Sequence, residues 1–181
     1  GDGALAIGTA RKHHRIPVAK GQALPAWDPR PLKATGITYC TSAQGGDHTA
    51  GLVIDPKISG EKAAIASQEV QIVNAVCDST GFCMFLGPTI EETAKFFTPF
   101  FGETVTREQI ADIGWECLAD EWEFNDRAGM TLADDSMAEC MSTEGIGPEH
   151  SMKFDVPEEI VRMAKVRQPA TEKFWRRSPA G

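Results

Sequence analysis

The sequence predicts a mainly α fold, and three observations carry that expectation. Two Thr-led capping boxes, "TIEE" from Thr89 and "TREQ" from Thr106, open apolar runs. Residues 61–77 carry apolar side chains on one helical face. No segment alternates apolar and polar residues in the manner of a half-buried strand. The expected architecture is a helical domain preceded by a long ordered loop region near the N-terminus.

The chain opens on "GDGALAIGTARKHHR", where Ala4, Leu5, Ala6 and Ile7 begin a helical pattern typical of sequence from within a domain. Its first residue is Gly rather than Met, so the chain reads as a piece of a longer protein. His13 and His14 stand beside three basic residues, the pattern of a solvated helix face. Residues 16–60 are rich in Gly, Pro, Thr and Asp. The stretch "LPAWDPRP" holds three prolines that forbid a regular helix, so the region reads as a loop with short turns. Trp27, Tyr39 and scattered apolar residues favour order there, and the part from Gly21 to Thr41 is expected to contribute pocket wall through Trp27 or Tyr39.

A helix over 61–77 follows, with Ile65, Ile72, Val73 and Val76 on its apolar face, Gly60 before it and "DSTG" as its stop. Thr89 with Glu92 opens the next, running through Phe96 and Phe97 until Pro99 ends it. Thr106 with Gln109 opens a third, reaching about residue 127 with Ile110, Ile113, Cys117, Leu118 and Phe124 inward. Asp155 is expected to cap a last helix, with Pro157 in its first turn and Glu158 closing the box. Three parts result: a loop-rich segment over 1–60, a helical domain over 61–166 and a tail over 167–181.

At 181 residues and 41% hydrophobic, the chain can bury one sizeable core or parts of two linked ones. A net charge of −8 argues against a nucleic-acid backbone or an anionic membrane as main partner, because like charges repel at long range. No apolar stretch approaches the roughly 20 residues that span a bilayer, and residues 1–20 lack a signal peptide's apolar core, so the expected setting is the cytoplasm. Five cysteines, odd in number and widely spread, fit a reducing compartment. No C-x-x-C pair occurs, so a zinc site is a distant reading and any cysteine-bound metal must take co-ligands from elsewhere.

Three short stretches carry chemistry. In "TSAQGGDHTAG", residues 41–51, Gly45 and Gly46 let backbone approach a ligand closely, while Asp47 stands ready to hold or tune the imidazole of His48; the plainer reading is an exposed turn. In "DSTGFC", residues 78–83, a carboxylate at a helix end, a glycine and a thiol fall within six positions. Asp78 can accept two parallel hydrogen bonds from an NH-rich ring such as a pterin, Gly81 admits the ring edge, and Cys83 can ligate iron. The plainer reading is a helix C-terminus with a buried cysteine. In "WEFNDRAG", Asn125, Asp126 and Arg127 read as a C-cap with an exposed ion pair.

Taken together and in order, "KGQALPAWDPRPLKATGITYCTSAQGGDHTAG", "VCDSTGFCMF" and "IGWECLADEWEFNDRAGM" resemble the C-terminal part of the tungsten-dependent aldehyde ferredoxin oxidoreductases, over roughly residues 5–166. The resemblance implies a tungsten (or molybdenum) atom held between two pterins, with a 4Fe-4S cluster beside it. Asp78 and Cys83 match the motif residues that serve one pterin and supply the last cluster cysteine, with Gly81 and Phe82 between them; Phe82 replaces the commoner leucine. His48 matches a histidine that moves a proton near the metal, flanked by Gly46 and Asp47, and Gln44 stands where many members have arginine. The other cluster cysteines, the second pterin motif and a glutamate near the metal lie upstream in the family. The segment 1–60 is then part of a cofactor-facing domain, and the isolated chain is expected to hold no cofactor.

The implied function is the oxidation of an aldehyde to a carboxylic acid, with electrons passing through the cluster to ferredoxin. The implied partners are ferredoxin, the N-terminal remainder of the enzyme and a small aldehyde, with no nucleic acid or membrane and room for a homodimer. The alternative is a helical binding or scaffold module of the same fold that lost the cofactor.

Overall fold

The computed structural model describes residues 3–167. Among them the helices are α1 (Gly3–Ala10), α2 (Lys33–Thr41), α3 (Glu61–Thr80), α4 (Ile90–Phe101), α5 (Arg107–Arg127), α6 (Glu139–Thr143) and α7 (Glu158–Met163). A short antiparallel hairpin, β1 (Val18–Ala19) and β2 (Gln22–Ala23), follows α1, and a 3-10 turn spans Pro148–His150. The fold is mainly α, as the pattern predicts.

The helix read from its apolar face, α3, and the two read from capping boxes, α4 and α5, pack together. Both Thr boxes close reciprocally, Thr89 with Glu92 and Thr106 with Gln109, each satisfying two N–H groups that a bare helix start leaves orphaned. Ile72, Ala75 and Val76 of α3, Ile90 and Ala94 of α4, and Ile110, Ala111, Leu118 and Trp122 of α5 make a common apolar core. The helices α3 and α5 approach closely because Gly114 faces α3; a methyl group there would lie 2.6 Å from the Ile72 carbonyl oxygen.

Two details differ from expectation. Pro99 sits in the last turn of α4 without ending it: only one ladder hydrogen bond is lost so near the end, and the helix closes at Gly102, whose N–H reaches Thr98 O at 3.1 Å. On α5 the inward stripe is Ile110, Ala111, Gly114, Leu118 and Trp122. Phe124 is 70% exposed and Ile113 44% exposed, because the smaller residues of the neighbouring phase allow closer helix contact.

The region over 16–60 is not simply a loop. It holds the hairpin and α2, whose residues from Ala34 to Thr41 are all buried. On one side α2 shares a second apolar cluster with Ala63 and Ala64 of α3 and with Phe154, Val161 and Ala164. Its polar groups are matched inside the protein. Thr35 Oγ1 donates to Val53 O and accepts from Val53 N, both at 3.0 Å, while Tyr39 Oη donates to Trp27 O at 3.1 Å. Tyr39 is therefore core rather than exposed pocket wall.

At the C-terminal end of α2, Lys20 Nζ donates to Cys40 O and Trp122 Nε1 donates to Thr41 O at 2.8 Å. The Lys20 ammonium also pairs with Asp135 at 2.6 Å, both side chains only 4% exposed, and Lys165 pairs with the same carboxylate at 2.9 Å. A buried carboxylate between two ammonium groups thus ties the hairpin to the segments before α6 and after α7.

Asp155 does not cap α7. Pro157 takes the N-cap position with no side-chain bond, and Asp155 pairs instead with Lys33 at the start of α2, which holds its carboxyl below the ordinary aspartate range. His13 and His14 lie beyond α1, exposed and stacked on each other, and His14 meets Glu144 at 3.2 Å; they are not on a helix face. Among the described residues no helix is long and apolar enough to cross a membrane.

The two faces of α5 make a test. Trp122→Phe leaves the Thr41 carbonyl without its donor inside the core and is expected to cost about 1–3 kcal/mol. Phe124→Ala, on the exposed face, should change stability by less than about 0.5 kcal/mol. Urea denaturation of both variants measures the difference, and equal losses would contradict the packing.

Candidate functional site

The segment after α2 is fixed before any ligand is considered. Ser42 Oγ donates to Gly45 O at 2.8 Å and accepts from Gly45 N at 3.1 Å, which closes a tight turn. Gly45 has φ 85°, and a side chain there would strike the Ala19 carbonyl of β1; Gly46 faces Gln22 O of β2 in the same way. The close approach that these glycines permit is therefore taken up by the hairpin.

Beyond them, Asp47 accepts from Thr49 N at 2.8 Å and from Thr49 Oγ1 at 2.6 Å, an Asx turn that occupies both its oxygens. His48 Nδ1 lies 3.7 Å from Asp47 Oδ1, too far for a hydrogen bond, so that carboxylate does not fix the ring's tautomer. The imidazole is 44% exposed.

This segment is stitched to two other helices. Asn74 Nδ2 of α3 donates to Thr49 O at 2.7 Å, and Asn125 Nδ2 of α5 donates to Ala43 O at 3.0 Å. Asn125 is thus a tether rather than a helix cap, whereas Arg127 makes the expected exposed ion pair, with Glu123.

The "DSTGFC" stretch forms the end of α3 and the turn beyond it. Gly81 adopts φ 77° as the left-handed cap, the conformation that a glycine reaches without strain. Cys83 is exposed, which removes the reading of a buried cysteine; Cys40, Cys77 and Cys140 are the buried ones. Phe82 stacks edge-on against Phe96 at 5.1 Å, the start of an aromatic cluster that continues through Phe97, Phe100 and Phe101 of α4. The turn carrying Cys83 is therefore anchored by its neighbour.

Asp78 lines a small cleft of about 40 Å³ between the 42–50 segment, α3 and α5. Gln44 and Ala50 form one wall; Gln71, Asn74, Cys117 and Glu121 form the others. The cleft brings Asp78 together with the ends of the Gly-Gly-Asp-His loop, while His48 and Cys83 are not among its lining residues. Partial burial, and secondarily the charge of Asp78, raise the Glu121 carboxyl above the ordinary glutamate range. Among the described residues neither carboxylate has an ion-pair partner, and Gln71 Oε1 is buried with no hydrogen-bond partner. The cleft's lining thus carries the carboxylates of Asp78 and Glu121 beside the amides of Gln44, Gln71 and Asn74. Gln71, Asn74 and Glu121 carry no sequence signal of this role: they stand in ordinary helix, without motif spacing.

Among the described residues no group of three or more His, Cys, Asp or Glu side chains could hold a metal ion. Cys83 offers a single accessible thiol.

A model of the family "Aldehyde ferredoxin oxidoreductase, domains 2 & 3" matches residues 3–167. The chain is 28% identical over 160 residues to the tungsten-containing aldehyde ferredoxin oxidoreductase of Pyrococcus furiosus, covering 80% of this chain and 26% of that protein. It is 27% identical over 164 residues to the same-named protein of Pyrococcus abyssi, 82% of this chain and 27% of the relative. Thermococcus kodakarensis has another at 28% over 125 residues, 62% of this chain and 21% of that protein. The chain therefore spans about a quarter of the length of these relatives.

The burial pattern predicts thiol reactivity. At pH 8 an aromatic disulfide reagent should modify Cys83 first, whereas Cys40, its thiol pushed up to about 12 by burial, should react only on unfolding. Peptide mapping by mass spectrometry checks the order, and early labelling of Cys40 would contradict it.

Proposed function

The chain belongs to the aldehyde ferredoxin oxidoreductase family, and on that premise we propose that it supplies the His48 loop and the Asp78–Cys83 motif of a cytoplasmic enzyme oxidising an aldehyde to a carboxylic acid. The observation that carries the reading is the tether of Asn74 to Thr49 and the cleft beside it, where Asp78 and the His48 loop meet.

The cleft fits one edge of a pterin. Its carboxylates are those of Asp78 and Glu121, and a pterin's amino and ring N–H groups are donors. When bound, the tungsten bis-pterin and the 4Fe-4S cluster supply the two-electron oxidation and the path by which electrons leave to ferredoxin. The protein positions and protonates.

Asp78, at the C-terminal end of α3, holds the ring through parallel hydrogen bonds; Gly81, lacking a side chain, leaves its edge room. Cys83 gives one thiolate to the cluster, the other three coming from the remainder of the enzyme. Aldehyde and water becoming acid release two protons and two electrons, and His48, half exposed and free of a hydrogen bond to Asp47, takes up a proton there and passes it to solvent. Gly46 and Asp47 set the loop's shape, Asp47 through Thr49.

Metal and pterin content of the complete enzyme separate these roles. His48→Ala should keep tungsten and iron and lower kcat by roughly 10² to 10⁴. Cys83→Ala should lose iron together with activity, and Asp78→Ala should weaken pterin retention. If His48→Ala loses tungsten as fully as Cys83→Ala loses iron, His48 is structural. A complete enzyme that folds with neither pterin nor iron would favour the cofactor-free module.

A further inference from the structure

Away from the cleft, the turn beyond α3 and the second half of α4 carry an apolar surface that none of the described residues covers. Phe82 of the turn stacks edge-on against Phe96, and the rings continue through Phe97 to Phe100 and Phe101. The spacing 96, 97, 100, 101 puts these four on one helix face. Ile90 and Ala94 of α4 enter the core, and of the four phenylalanines Phe97 alone packs against it. The others stand open. Phe100 is 73% exposed, Leu86 75% and Phe85 94%, with Phe96 and Phe101 exposed beside them. An aromatic side chain offers roughly 150–250 Å², so these five residues expose on the order of 700 Å² of apolar surface. That is above the roughly 300–600 Å² of the largest patch on a typical monomer, and close to the ~800 Å² that one partner buries in a standard interface.

The chemistry of this face selects its occupant. From Phe82 to Ile90, and again from Phe96 to Gly102, no residue is charged. A carrier that docks and leaves uses a small interface and charge to steer its approach, so a large uncharged face belongs to a contact that stays formed. Cys83, the one exposed cysteine among the described residues, lies within it, between Phe82 and Met84. The turn closes from Leu86 N to Cys83 O at 2.9 Å, which keeps Phe85 and Leu86 beside the thiol. A four-iron cluster held by that thiol takes three further thiolates at close range. The described residues contain no group that could supply them, and a second copy would bring only another Cys83. The chain covers 26% and 27% of its two Pyrococcus relatives, so most of an enzyme of that length lies outside it. The segment that carries the three thiolates must therefore lie against the Cys83 turn.

We propose that the phenylalanine face of α4 and the Cys83 turn is the seat of the N-terminal remainder of the same polypeptide, and that the closed contact keeps water from the cluster. The inference rests on the reading of Cys83 as a cluster ligand and names the surface on which that centre is assembled. The contact is noncovalent, rings against apolar side chains. Because Phe82 joins the thiol-bearing turn to α4, a segment seated on α4 also fixes where Cys83 stands.

The test uses the complete enzyme. Phe85→p-benzoylphenylalanine and Phe100→p-benzoylphenylalanine keep an aromatic ring at each position and cross-link to whatever touches it on irradiation. Peptide mass spectrometry should locate both cross-links in the N-terminal remainder of the same chain. Phe100→Ser and Leu86→Ser should lose iron to a chelator roughly tenfold faster than wild type, the effect of removing one apolar side chain from a closed contact. Phe124→Ser, on the exposed face of α5, should lose iron at the wild-type rate. Cross-links that join two enzyme copies, that form only with added ferredoxin, or that fail to form would each overturn the inference; iron loss in Cys83→Ala then leaves the Cys83 reading intact. Wild-type iron retention in Phe100→Ser and Leu86→Ser, or equal loss in Phe124→Ser, would overturn the shielding. If Cys83→Ala retains all its iron, the Cys83 reading itself fails and the inference with it.

Discussion

The structure depends on a helix with no solvent face. From Ala34 to Thr41 every residue of α2 is buried, so each of its polar groups must find its partner within the protein. Thr38 and Thr41 donate to carbonyls one turn back, and their oxygens then need donors from outside the helix. Ser67 and Gln71 of α3 meet that need, which makes the α2–α3 interface polar and specific in register. The carbonyls at the C-terminal end take donors from farther away, Lys20 from the hairpin and Trp122 from α5. The negative end of the helix dipole favours the Lys20 ammonium there, but that charge is buried and needs a counterion. Asp135 supplies it and is itself shared with Lys165. Segments distant in sequence are thus located by the unmet valences of one short helix.

The candidate site inherits its geometry from this arrangement. The loop bearing His48 starts where α2 ends, and it is held by Asn125 at Ala43 and by Asn74 at Thr49. The glycines within it seat the loop on the hairpin, leaving His48 itself half exposed. The role proposed for His48 calls for both features, a backbone that does not wander and a ring that can reach solvent or substrate. The second motif is held independently, by the left-handed turn at Gly81 and the packing of Phe82 on α4.

How much of this was legible in the sequence depends on where each signal resides. Local signals were readable: Thr89 with Glu92 and Thr106 with Gln109 bond within four residues of themselves, and Gly81 stops α3 by its own backbone. The helix α2 was not, because amphipathic periodicity records the boundary between core and water, and a helix buried on all sides has no such boundary. Its threonines and glycine also have low helix propensity, so tertiary packing rather than local preference creates it. Phe124 misled for a related reason: its apolarity suggests burial, yet α5 turns its smaller residues Ala111 and Gly114 toward the core, where close approach counts for more than side-chain size. Asp155 has the spacing of a cap but is drawn to Lys33, a partner 122 positions away.

The same distinction applies within the site. Asp78, Cys83 and His48 stand in short motifs and were visible; Asn74 and Gln71, four and seven residues before Asp78, share its face of α3, whereas Glu121 joins them only when α5 and the 42–50 segment are folded onto α3. Gln71 shows why the fold and the site cannot be separated. The hydroxyl chain that satisfies α2 fixes its Nε2, and in doing so it leaves Oε1 buried without a partner among the described residues. An unpaired buried acceptor costs about 1–3 kcal/mol. The α2–α3 interface carries that cost because α2, buried on all sides, requires a polar neighbour, and the amide that meets its hydroxyls cannot satisfy both of its own ends.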